Sequence, residues 1–467
     1  MSPVTRMRIS SALRRVQRGL SLIELMVAMT LGLLVSLGII TLFTATGKTN
    51  RVQASLARLQ ENGRFAITRI NDDLRMSAGQ FCSNSSTDAK LLNFSVNGEQ
   101  AGPRQPTMRV KGPTGFYFPD GGNNLITGSF SPRFFMQGYE CDASGCNPAV
   151  PAAQAPQTTT LPAMGKVAGN RVLGADVITI RYQRGTGWPT VACAGGATGT
   201  FSVKPSAGDT AITPVAPADP DMAFKATDIA LITDCNTTEI FMVKNAVASN
   251  AANSYAQQDL VPNETGVNAP ACFGNFSATD VRAFNFTRDF ITVTYYLKLK
   301  ANPSPDAPTG SLIPVLMRRY AYGSSQNMKD KTFVTNATDP VEDELVEGIE
   351  RLDFLYGVEA GDGTISFLNA KDVDAITSCP SKAASEAKCG WRSVRSIEVH
   401  MLVDTVDSTF GLTSADTSYR YGGDSSASAT INDGPALGST MPVTGIPAGS
   451  MLRREFVSLI SLRNNTP

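Results

Sequence analysis

Residues 20–46, LSLIELMVAMTLGLLVSLGIITLFTAT, decide how the rest of the chain is organised. These 27 residues contain one charged side chain, that of Glu24. A helix of this length extends about 40 Å, which is enough to cross a hydrocarbon layer of roughly 30 Å. The stretch therefore predicts a helix that spans a membrane.

The residues before this helix are basic. Residues 1–19 contain no acidic residue and five arginines, namely Arg6, Arg8, Arg14, Arg15 and Arg18. The positive-inside rule keeps such a flank in the cytoplasm, so we expect the residues after the helix to lie outside it. A cleavable signal peptide, including a twin-arginine signal at Arg14-Arg15, is the alternative. It is disfavoured because Glu24 interrupts the apolar core, which is also longer than a usual signal core.

The helix is expected to continue beyond the apolar stretch, to about residue 76. Apolar and small residues recur there every three or four positions, as in an amphipathic helix. They are Val52, Leu56, Leu59, Gly63, Ala66, Ile70 and Leu74. We expect residues 20–46 to span the membrane and residues 47–78 to pack on a globular domain made of residues 79–467.

Beyond residue 79 the pattern changes to short alternating runs between clusters of Pro, Gly and Ser, which is typical of antiparallel strands. The clearest runs are 176–182, 228–233, 239–243, 290–299, 352–358, 396–403 and 455–462. Long turn-rich insertions separate them, at 147–165, 201–222, 245–270, 300–314 and 404–450. Residues 346–351 fit either a short helix or the entry into a strand.

Residues 18–24, RGLSLIE, resemble the processing site of type IV prepilins. In that family a membrane aspartyl peptidase cuts after the glycine and methylates the new amino terminus. The resemblance implies that Gly19 ends a leader, that Leu20 begins the mature protein, and that Glu24 is its fifth residue. Leu20 stands where the family commonly has Phe. The new ammonium group of one subunit would then neutralise Glu24 of its neighbour in the apolar centre of a filament.

Six later segments resemble, in order, those of PilW-type minor pilins: GADVITIRY (174–182), ATDIALITDCNTTEIFMV (226–243), VTYYL (293–297), LVEGIERLDFLYGV (345–358), WRSVRSIEVHMLV (391–403) and RREFVSLISLRN (453–464). The resemblance implies an α+β, type IV pilin-like fold, with a long N-terminal helix packed on an antiparallel, strand-rich periplasmic domain. It also implies an inner-membrane protein. Such a protein joins other minor pilins and the major pilin in a complex that primes pilus assembly, at the pilus tip with a large adhesin. Because no catalytic set is visible in the sequence, we expect no enzymatic activity and no cofactor.

All eight cysteines lie beyond the membrane segment, in a compartment expected to be oxidising: Cys82, Cys141, Cys146, Cys193, Cys235, Cys272, Cys379 and Cys389. Disulfides are therefore expected rather than a thiolate metal site. Two pairs bracket short turn-rich loops, Cys141 with Cys146 and Cys379 with Cys389. The other four allow three connectivities, among which we favour a pair between Cys193 and Cys235.

Composition excludes several classes of function. Lys plus Arg (41) balance Asp plus Glu (41), so the chain has no basic surplus for nucleic acid. His400 is the chain's one histidine, which excludes metal centres that need two imidazoles. We expect it half-exposed on a polar strand face with Glu398. No nucleophile has a recognisable base nearby, and the turn from Glu359 to Gly363 has only half the ligands of a calcium loop, so a plain hairpin is expected.

Two further interpretations remain. The chain would also suit a membrane-tethered periplasmic adhesin or carbohydrate-binding module, with the long insertions forming the site. A pseudopilin of a type II secretion system is a variant of the pilin interpretation, and the length of 467 residues argues against it. The proteins that accompany the chain in solubilised membranes would separate these interpretations.

Overall fold

The structure of the protein is a computed structural model. It describes residues 21–77, 95–96, 99–100, 107–109, 133, 135–150, 161–183, 185, 187–192, 201–203, 229–233, 238–248, 258–262, 281–285, 290–303, 310–322, 326–327, 332–333, 341–377, 388–406, 412, 417–423 and 449–462. The chain divides into two compact units, Met1–Ala54 and Ser55–Pro467.

Among the described residues the helices are few, and one of them is very long. Helix α1 is Leu22–Met76, close to the predicted 20–76. A short helix, α2 (Ala370–Ala375), begins after Asn369, whose Oδ1 accepts a hydrogen bond of 2.8 Å from the amide of Asp372. A 3₁₀ helix, Cys389–Ser393, leads into a long strand.

The rest of the described chain consists largely of strands. They are β1 (Ser95–Val96), β2 (Glu99–Gln100), β3 (Thr107–Arg109), β4 (Met136–Cys141), β5 (Cys146–Asn147), β6 (Val177–Gln183), β7 (Trp188–Ala192), β8 (Phe201–Val203), β9 (Ile229–Thr233), β10 (Thr238–Ala248), β11 (Gln258–Pro262), β12 (Arg282–Asn285), β13 (Phe290–Ala301), β14 (Leu312–Tyr322), β15 (Gln326–Asn327), β16 (Thr332–Phe333), β17 (Val341–Glu347), β18 (Ile349–Glu359), β19 (Ile365–Leu368), β20 (Val394–Asp404) and β21 (Arg453–Ser461).

Three sheets contain most of these strands. Their orders are β11-β8-β7-β12-β9-β10-β3, β17-β14-β13-β6-β4-β5 and β19-β18-β20-β21. The pairings are antiparallel except that between β10 and β3. A long N-terminal helix followed by antiparallel sheets is the predicted α+β layout.

Each of the seven predicted runs overlaps a strand, but the alternating pattern missed others. Strand β14 contains Pro314 and the buried Arg318 and Arg319, which interrupt an apolar pattern. Strand β17 is acidic, and Lys298 and Lys300 of β13 pair with its glutamates. The predicted insertions 201–222 and 245–270 also contain strand residues of β8, β10 and β11.

Residues 346–351, which the sequence left open, belong to two strands. Gly348 separates β17 from β18 with a φ of 83°, a left-handed conformation that favours glycine. A Cβ atom at this position would lie 2.6 Å from Oδ1 of Asp404. The glycine therefore allows the turn and the close approach of β20.

The second half of α1 packs into the main core. Leu59, Ala66, Ile70 and Leu74 are buried in one apolar cluster with residues of the six-stranded and four-stranded sheets. Fully burying one leucine or isoleucine typically stabilises a protein by about 1.5–3 kcal/mol. This face of α1 therefore contributes substantially to the stability of the second unit. A Cβ atom at Gly63 would lie 2.5 Å from the Phe456 ring, which shows how closely the helix approaches β21.

Candidate interaction surfaces

The described residues of the first unit form an exposed helix that is largely apolar. All side chains of residues 21–51 are exposed, and those of Leu22 and Phe43 are each 75% exposed. By length and composition, α1 is the one helix in the described part of the chain able to cross a membrane. Such a surface requires a membrane or other apolar helices around it.

Ser21 and Glu24 form a capping box at the start of α1. The amide of Ser21 donates to Oε2 of Glu24 at 3.0 Å, and the amide of Glu24 donates to Oγ of Ser21 at 3.2 Å. These reciprocal bonds satisfy two amides that the first helical turn leaves unpaired. The Ser-x-x-Glu spacing predicts this cap, but the sequence analysis overlooked it. The processing residues Gly19 and Leu20 lie outside the described residues, and the docking role of Glu24 stays a prediction.

Asp73 joins α1 to three neighbouring strands of the six-stranded sheet. Arg318 on β14 donates from Nε at 2.6 Å and from Nη2 at 3.3 Å. The hydroxyl groups of Tyr182 on β6 and Tyr295 on β13 donate to the same carboxylate at 3.0 and 2.5 Å. Since all four residues are buried, these bonds fix the helix against the sheet.

The Asp73 network also shifts the pKa values of Tyr295 and Arg318. Burial, and then the charge of Asp73, raises the pKa of Tyr295. Burial alone lowers the pKa of Arg318, but its hydrogen bonds and charge attraction to Asp73 leave the pKa above its ordinary value. The sequence analysis missed Asp73, although it lies three positions after Ile70 and seven after Ala66, on the buried face of the helix.

Asp176 joins the six-stranded sheet to the four-stranded sheet. Its Oδ1 accepts from the amide of Cys141 on β4 at 2.8 Å, and its Oδ2 accepts from the amide of Phe354 on β18 at 3.2 Å. Burial, followed by the negative charge of Asp353, raises the pKa of Asp176 well above its ordinary value. This acid is therefore a structural connector between the sheets.

The four-stranded sheet has an inner face against α1 and an opposite face that we call the outer face. The inner face carries Ser458, which accepts a hydrogen bond of 3.3 Å from Asn71 of α1. Cross-strand pairing places two rows on the outer face: Leu355, Glu398 and Leu459 form one row, and Asp353, His400 and Val457 the next. Leu459 is 62% exposed and Val457 is 50% exposed, so apolar side chains on this face meet solvent.

His400 is buried between two carboxylates on the outer face. Its Nδ1 lies 2.8 Å from Oε1 of Glu455, and its Nε2 lies 3.0 Å from Oε1 of Glu398. The prediction of a half-exposed histidine is wrong, because His400 is 6% exposed. Residues 417–423 provide the cover, and a Cβ atom at Gly423 would lie 2.6 Å from the Cβ of His400.

The cover over His400 is held by hydrogen bonds to the sheet. The Tyr421 hydroxyl donates to Asp353, and the Gly422 amide donates to Oε1 of Glu455 at 2.9 Å. Burial alone lowers the pKa of His400, but hydrogen bonding to Glu455 and the charges of Glu455 and Glu398 raise it above the ordinary value. The protonated imidazole therefore stabilises this arrangement. No candidate base–nucleophile pair was predicted at this site, and its geometry is that of a structural ion cluster.

The cysteines and the candidate calcium turn are structural where the structure describes them. Cys141 and Cys146 form a disulfide, and Cys389 is also disulfide-bonded. Cys82, Cys193, Cys235, Cys272 and Cys379 lie outside the described residues, so the other pairings stay predictions. Asp362 Oδ1 accepts from the amide and hydroxyl of Thr364, as in a hairpin turn. Within the described ranges, no group of three His, Cys, Asp or Glu residues is placed to hold a metal ion.

Two regions of the chain match known protein families, one near the N-terminus and one in the C-terminal part. Residues 14–40, which contain Gly19 and the capping box, match the prokaryotic N-terminal methylation motif. Residues 294–464, which contain most of β13, β14, β17, the outer face and its cover, match the type IV pilus-assembly protein W family, PilW. No curated protein and no solved structure matches the chain. The motif and the apolar helix indicate a membrane-anchored pilin, and the match of residues 294–464 indicates a pilus-assembly protein similar to PilW.

Proposed function

We propose that the protein is a minor pilin that joins other minor pilins and the major pilin in a complex that primes type IV pilus assembly, at the pilus tip with a large adhesin. The observation that carries the proposal is the coincidence of the methylation motif with a fully exposed apolar helix, in a chain whose residues 294–464 match the PilW family. An exposed helix of this kind needs other apolar surfaces as partners once it leaves the membrane.

Processing is the first step of the proposed function. Prepilin peptidase would cut between Gly19 and Leu20 and methylate the new amino terminus. The ammonium group formed there would approach Glu24 of a neighbouring subunit, because two opposite charges in an apolar filament centre stabilise each other strongly. Glu24 Oε2 accepts from the Ser21 amide within its own chain, so the cap orients the carboxylate at the helix end.

The proposed arrangement in the cell follows the order of segments. Residues 1–19 form the removed leader, residues 20–46 the membrane or filament-core helix, and residues 47–78 its amphipathic continuation. Residues 79–467 form the globular domain, which lies in the periplasm until the subunit enters the pilus at the cell surface. The domain acts by binding other pilins and turns over no substrate, in keeping with the structural role of this family.

Affinity purification of the full-length chain from solubilised membranes tests the proposal. We expect other minor pilins and the major pilin among the co-purifying proteins, and few pili on cells that lack the chain. Two results would instead establish the adhesin interpretation: the chain purifies alone and binds a glycan, and cells that lack the chain keep normal pilus numbers. A strain without prepilin peptidase is the matched control, since the unprocessed chain stays in the membrane.

A further inference from the structure

Arg171 is a buried arginine without an acidic partner in the part of the chain that the structure describes. It is 8% exposed. Its Nε donates to the carbonyl oxygen of Pro162 at 2.7 Å, and its Nη1 lies 3.8 Å from Sγ of Cys146. The buried Arg318 and Arg453, by contrast, each donate to a carboxylate. A buried charge is costly without a counter-ion, so the guanidinium of Arg171 would be stabilised by an anion at the position of the Cys146 sulfur.

The two sulfur atoms of the disulfide lie in different surroundings. Cys146 is half-buried, and its Sγ contacts Nη1 of Arg171 and lies 3.7 Å from Sδ of Met164. Cys141 is 6% exposed, and its Sγ lies 3.5 Å from the carbonyl oxygen of Tyr139. A nearby cation favours the thiolate form of a cysteine, whereas burial and a hydrogen-bond acceptor favour the neutral thiol. In the reduced pair, Cys146 is therefore the sulfur that ionises more readily and that solvent reaches.

The loop between the two cysteines holds them together without the covalent bond. Strands β4 and β5 pair there and place Cys141 directly opposite Cys146. Asp142 closes the loop, because its Oδ1 accepts from the amide and hydroxyl of Ser144 at 2.6 Å and from the amide of Gly145 at 2.9 Å. The Asp142 side chain is exposed, so solvent screens its charge. The loop thus keeps the second sulfur within reach of the first.

We infer that Cys146 is the sulfur that reacts first with a disulfide-bearing oxidant when the Cys141–Cys146 bond is made, and that Arg171 activates it. The Cys146 thiolate attacks one sulfur of the oxidant's disulfide, and the other sulfur of that disulfide leaves as a thiolate. Cys141 then loses its proton, attacks Sγ of Cys146 in the mixed disulfide and displaces the oxidant's remaining sulfur. The two cysteine thiols give up two electrons and two protons, and the oxidant takes them up as two thiols.

This inference goes beyond the proposed function. It concerns how the globular domain acquires a disulfide once it reaches an oxidising compartment. It holds whichever proteins the domain then binds, so its failure would leave the proposed function standing. The oxidant is a dithiol oxidoreductase or a small-molecule disulfide, since both react by the same exchange with a thiolate.

Two full-length variants free one sulfur each. Cys141→Ala leaves Cys146 without its partner, and Cys146→Ala leaves Cys141 without its partner. Each protein is kept in detergent at pH 7 without reductant and treated with oxidised glutathione, and mass spectrometry follows the adduct on the peptide that contains the remaining sulfur. We expect Cys146 to react at least tenfold faster than Cys141. Equal rates, or a faster reaction of Cys141, would overturn the inference.

The pH profile of this reaction separates activation by Arg171 from a structural role. In the Cys141→Ala chain the rate should rise with a midpoint below about pH 8.5, the ordinary value for a thiol. Adding Arg171→Met should move the midpoint upward and slow the reaction at pH 7 by about threefold per pH unit of that shift, because a more basic thiolate is also more nucleophilic. For the same reason the Arg171→Met chain should react faster above about pH 10, so the two profiles should cross.

Two further variants control for charge and folding. Arg171→Lys keeps a cation and should have an intermediate midpoint. Lys166→Met removes an exposed cation and should leave the profile of the Cys141→Ala chain unchanged. Resistance to proteolysis shows that each variant is folded. An unchanged profile in Arg171→Met, or an equal shift in Lys166→Met, would contradict activation by Arg171.

The Cys141→Ala chain also identifies the oxidant in the cell, because it lacks the sulfur for the second step. The chain is purified from membranes without reductant. A covalent complex with another protein that reductant dissolves would identify an oxidoreductase, and a gain in mass of one small thiol would identify a small-molecule disulfide. Either adduct on Cys146 supports the inference. Adducts that form on Cys141 in the Cys146→Ala chain but never on Cys146 overturn it.

Discussion

Asp73 on α1 and Arg318 on β14 are 245 residues apart in the sequence and form a buried ion pair, with 2.6 Å between Oδ2 and Nε. Their side chains are only 7% and 9% exposed. A pair this distant in sequence requires β14 and the C-terminal part of α1 to lie against each other in the folded protein. The pair therefore holds the part of α1 that belongs to the second unit, from Ser55 onward, against β14.

Replacing Asp73 with Asn should destabilise the second unit by about 3–5 kcal/mol, because it leaves the Arg318 charge buried without its partner. The measurement is denaturant unfolding of the full-length protein in detergent, followed by tryptophan fluorescence. Asp72→Asn is the matched control, since the neighbouring Asp72 is exposed and should change stability by less than about 0.5 kcal/mol. Equal effects of the two substitutions would contradict the role of the pair.

A double variant refines this test. Arg318→Met removes the charge that Asp73→Asn leaves behind, so the double variant should lose less stability than the sum of the two single changes. Tyr182 and Tyr295 donate to the same carboxylate, and the Asn side chain still accepts one of these bonds. Strictly additive losses would show that the two side chains do not interact.

Stability should fall as the pH rises through the titration of His400. The folded pKa of this group is raised, so its stabilising contribution is complete below the unfolded value of about 6.5 and is lost as the pH passes the folded pKa. The groups that face the ring or its immediate surroundings are Glu398, Glu455, Tyr421 and the pair of Asp353 with Arg351. The measurement is the unfolding free energy at a series of pH values from 5 to 9.

His400→Gln isolates this contribution from those of other groups. Asp176 and Asp404 also have raised pKa values through burial and neighbouring carboxylates, and their effect has the same sign. The variant should therefore show a flatter dependence on pH above 6, not a flat one. The single imidazole signal in the NMR spectrum gives the folded pKa directly. A value below 6.5 would contradict the arrangement.

The predictable parts of the fold are those in which the spacing of apolar residues along the sequence indicates which side chains are buried. The buried face of α1 follows a spacing of three and four residues, and β6 and β13 contain long apolar runs because most of their side chains are buried on both faces. The sequence pattern did not predict strand β14, because Arg318 and Arg319 are buried in it. A buried arginine resembles a surface residue in sequence until the position of its acidic partner is known.

The surfaces were harder to predict than the strands. His400 was placed on the correct sheet face with Glu398, because alternation along β20 is a local property. Its burial depends on residues 417–423, which lie in a predicted insertion and have no periodic pattern. The pairing of Leu355, Glu398 and Leu459 across three strands likewise depends on register, which only the assembled sheet determines.

Loss of the Cys141–Cys146 disulfide should lower stability by about 2 kcal/mol, the contribution that loop-closure entropy predicts for so short a loop. The measurement compares the unmodified full-length protein with the double variant Cys141→Ala and Cys146→Ala. A chelator should leave the unfolding midpoint of the unmodified protein unchanged, because disulfides rather than a metal are assigned the stabilising role. A large effect of the chelator would contradict that assignment.

Gly19→Val should leave the full-length precursor in the membrane, because a β-branched side chain before the scissile bond hinders access of the peptidase to the backbone. N-terminal mass spectrometry of the extracted protein decides the result. The unmodified chain should begin at a methylated Leu20 and the variant at its original start. A mature protein that begins near residue 46 would establish an ordinary cleaved signal. The globular domain of the variant should keep the disulfide between Cys141 and Cys146, which serves as the folding control.

The charge of Glu24 and its capping role can be separated by substitution. Glu24→Gln keeps an oxygen that accepts from the Ser21 amide and removes the charge, whereas Ser21→Ala removes the hydroxyl and keeps the charge. If docking depends on the ammonium group of a neighbour, Glu24→Gln and Glu24→Ala should both be cleaved normally and should enter pili poorly. Breaking such a buried pair typically costs about 3–5 kcal/mol.

Ser21→Ala should lose only a helix cap, worth about 1 kcal/mol, and should enter pili nearly as well as the unmodified chain. Glu24→Asp should be intermediate, since it keeps the charge and shortens the reach. The measurement is the amount of each processed variant in sheared pili relative to the amount in the membrane. Should Ser21→Ala fail as badly as Glu24→Gln, the helix cap rather than the ion pair would be what incorporation requires. Normal incorporation of Glu24→Ala would remove the charge argument altogether.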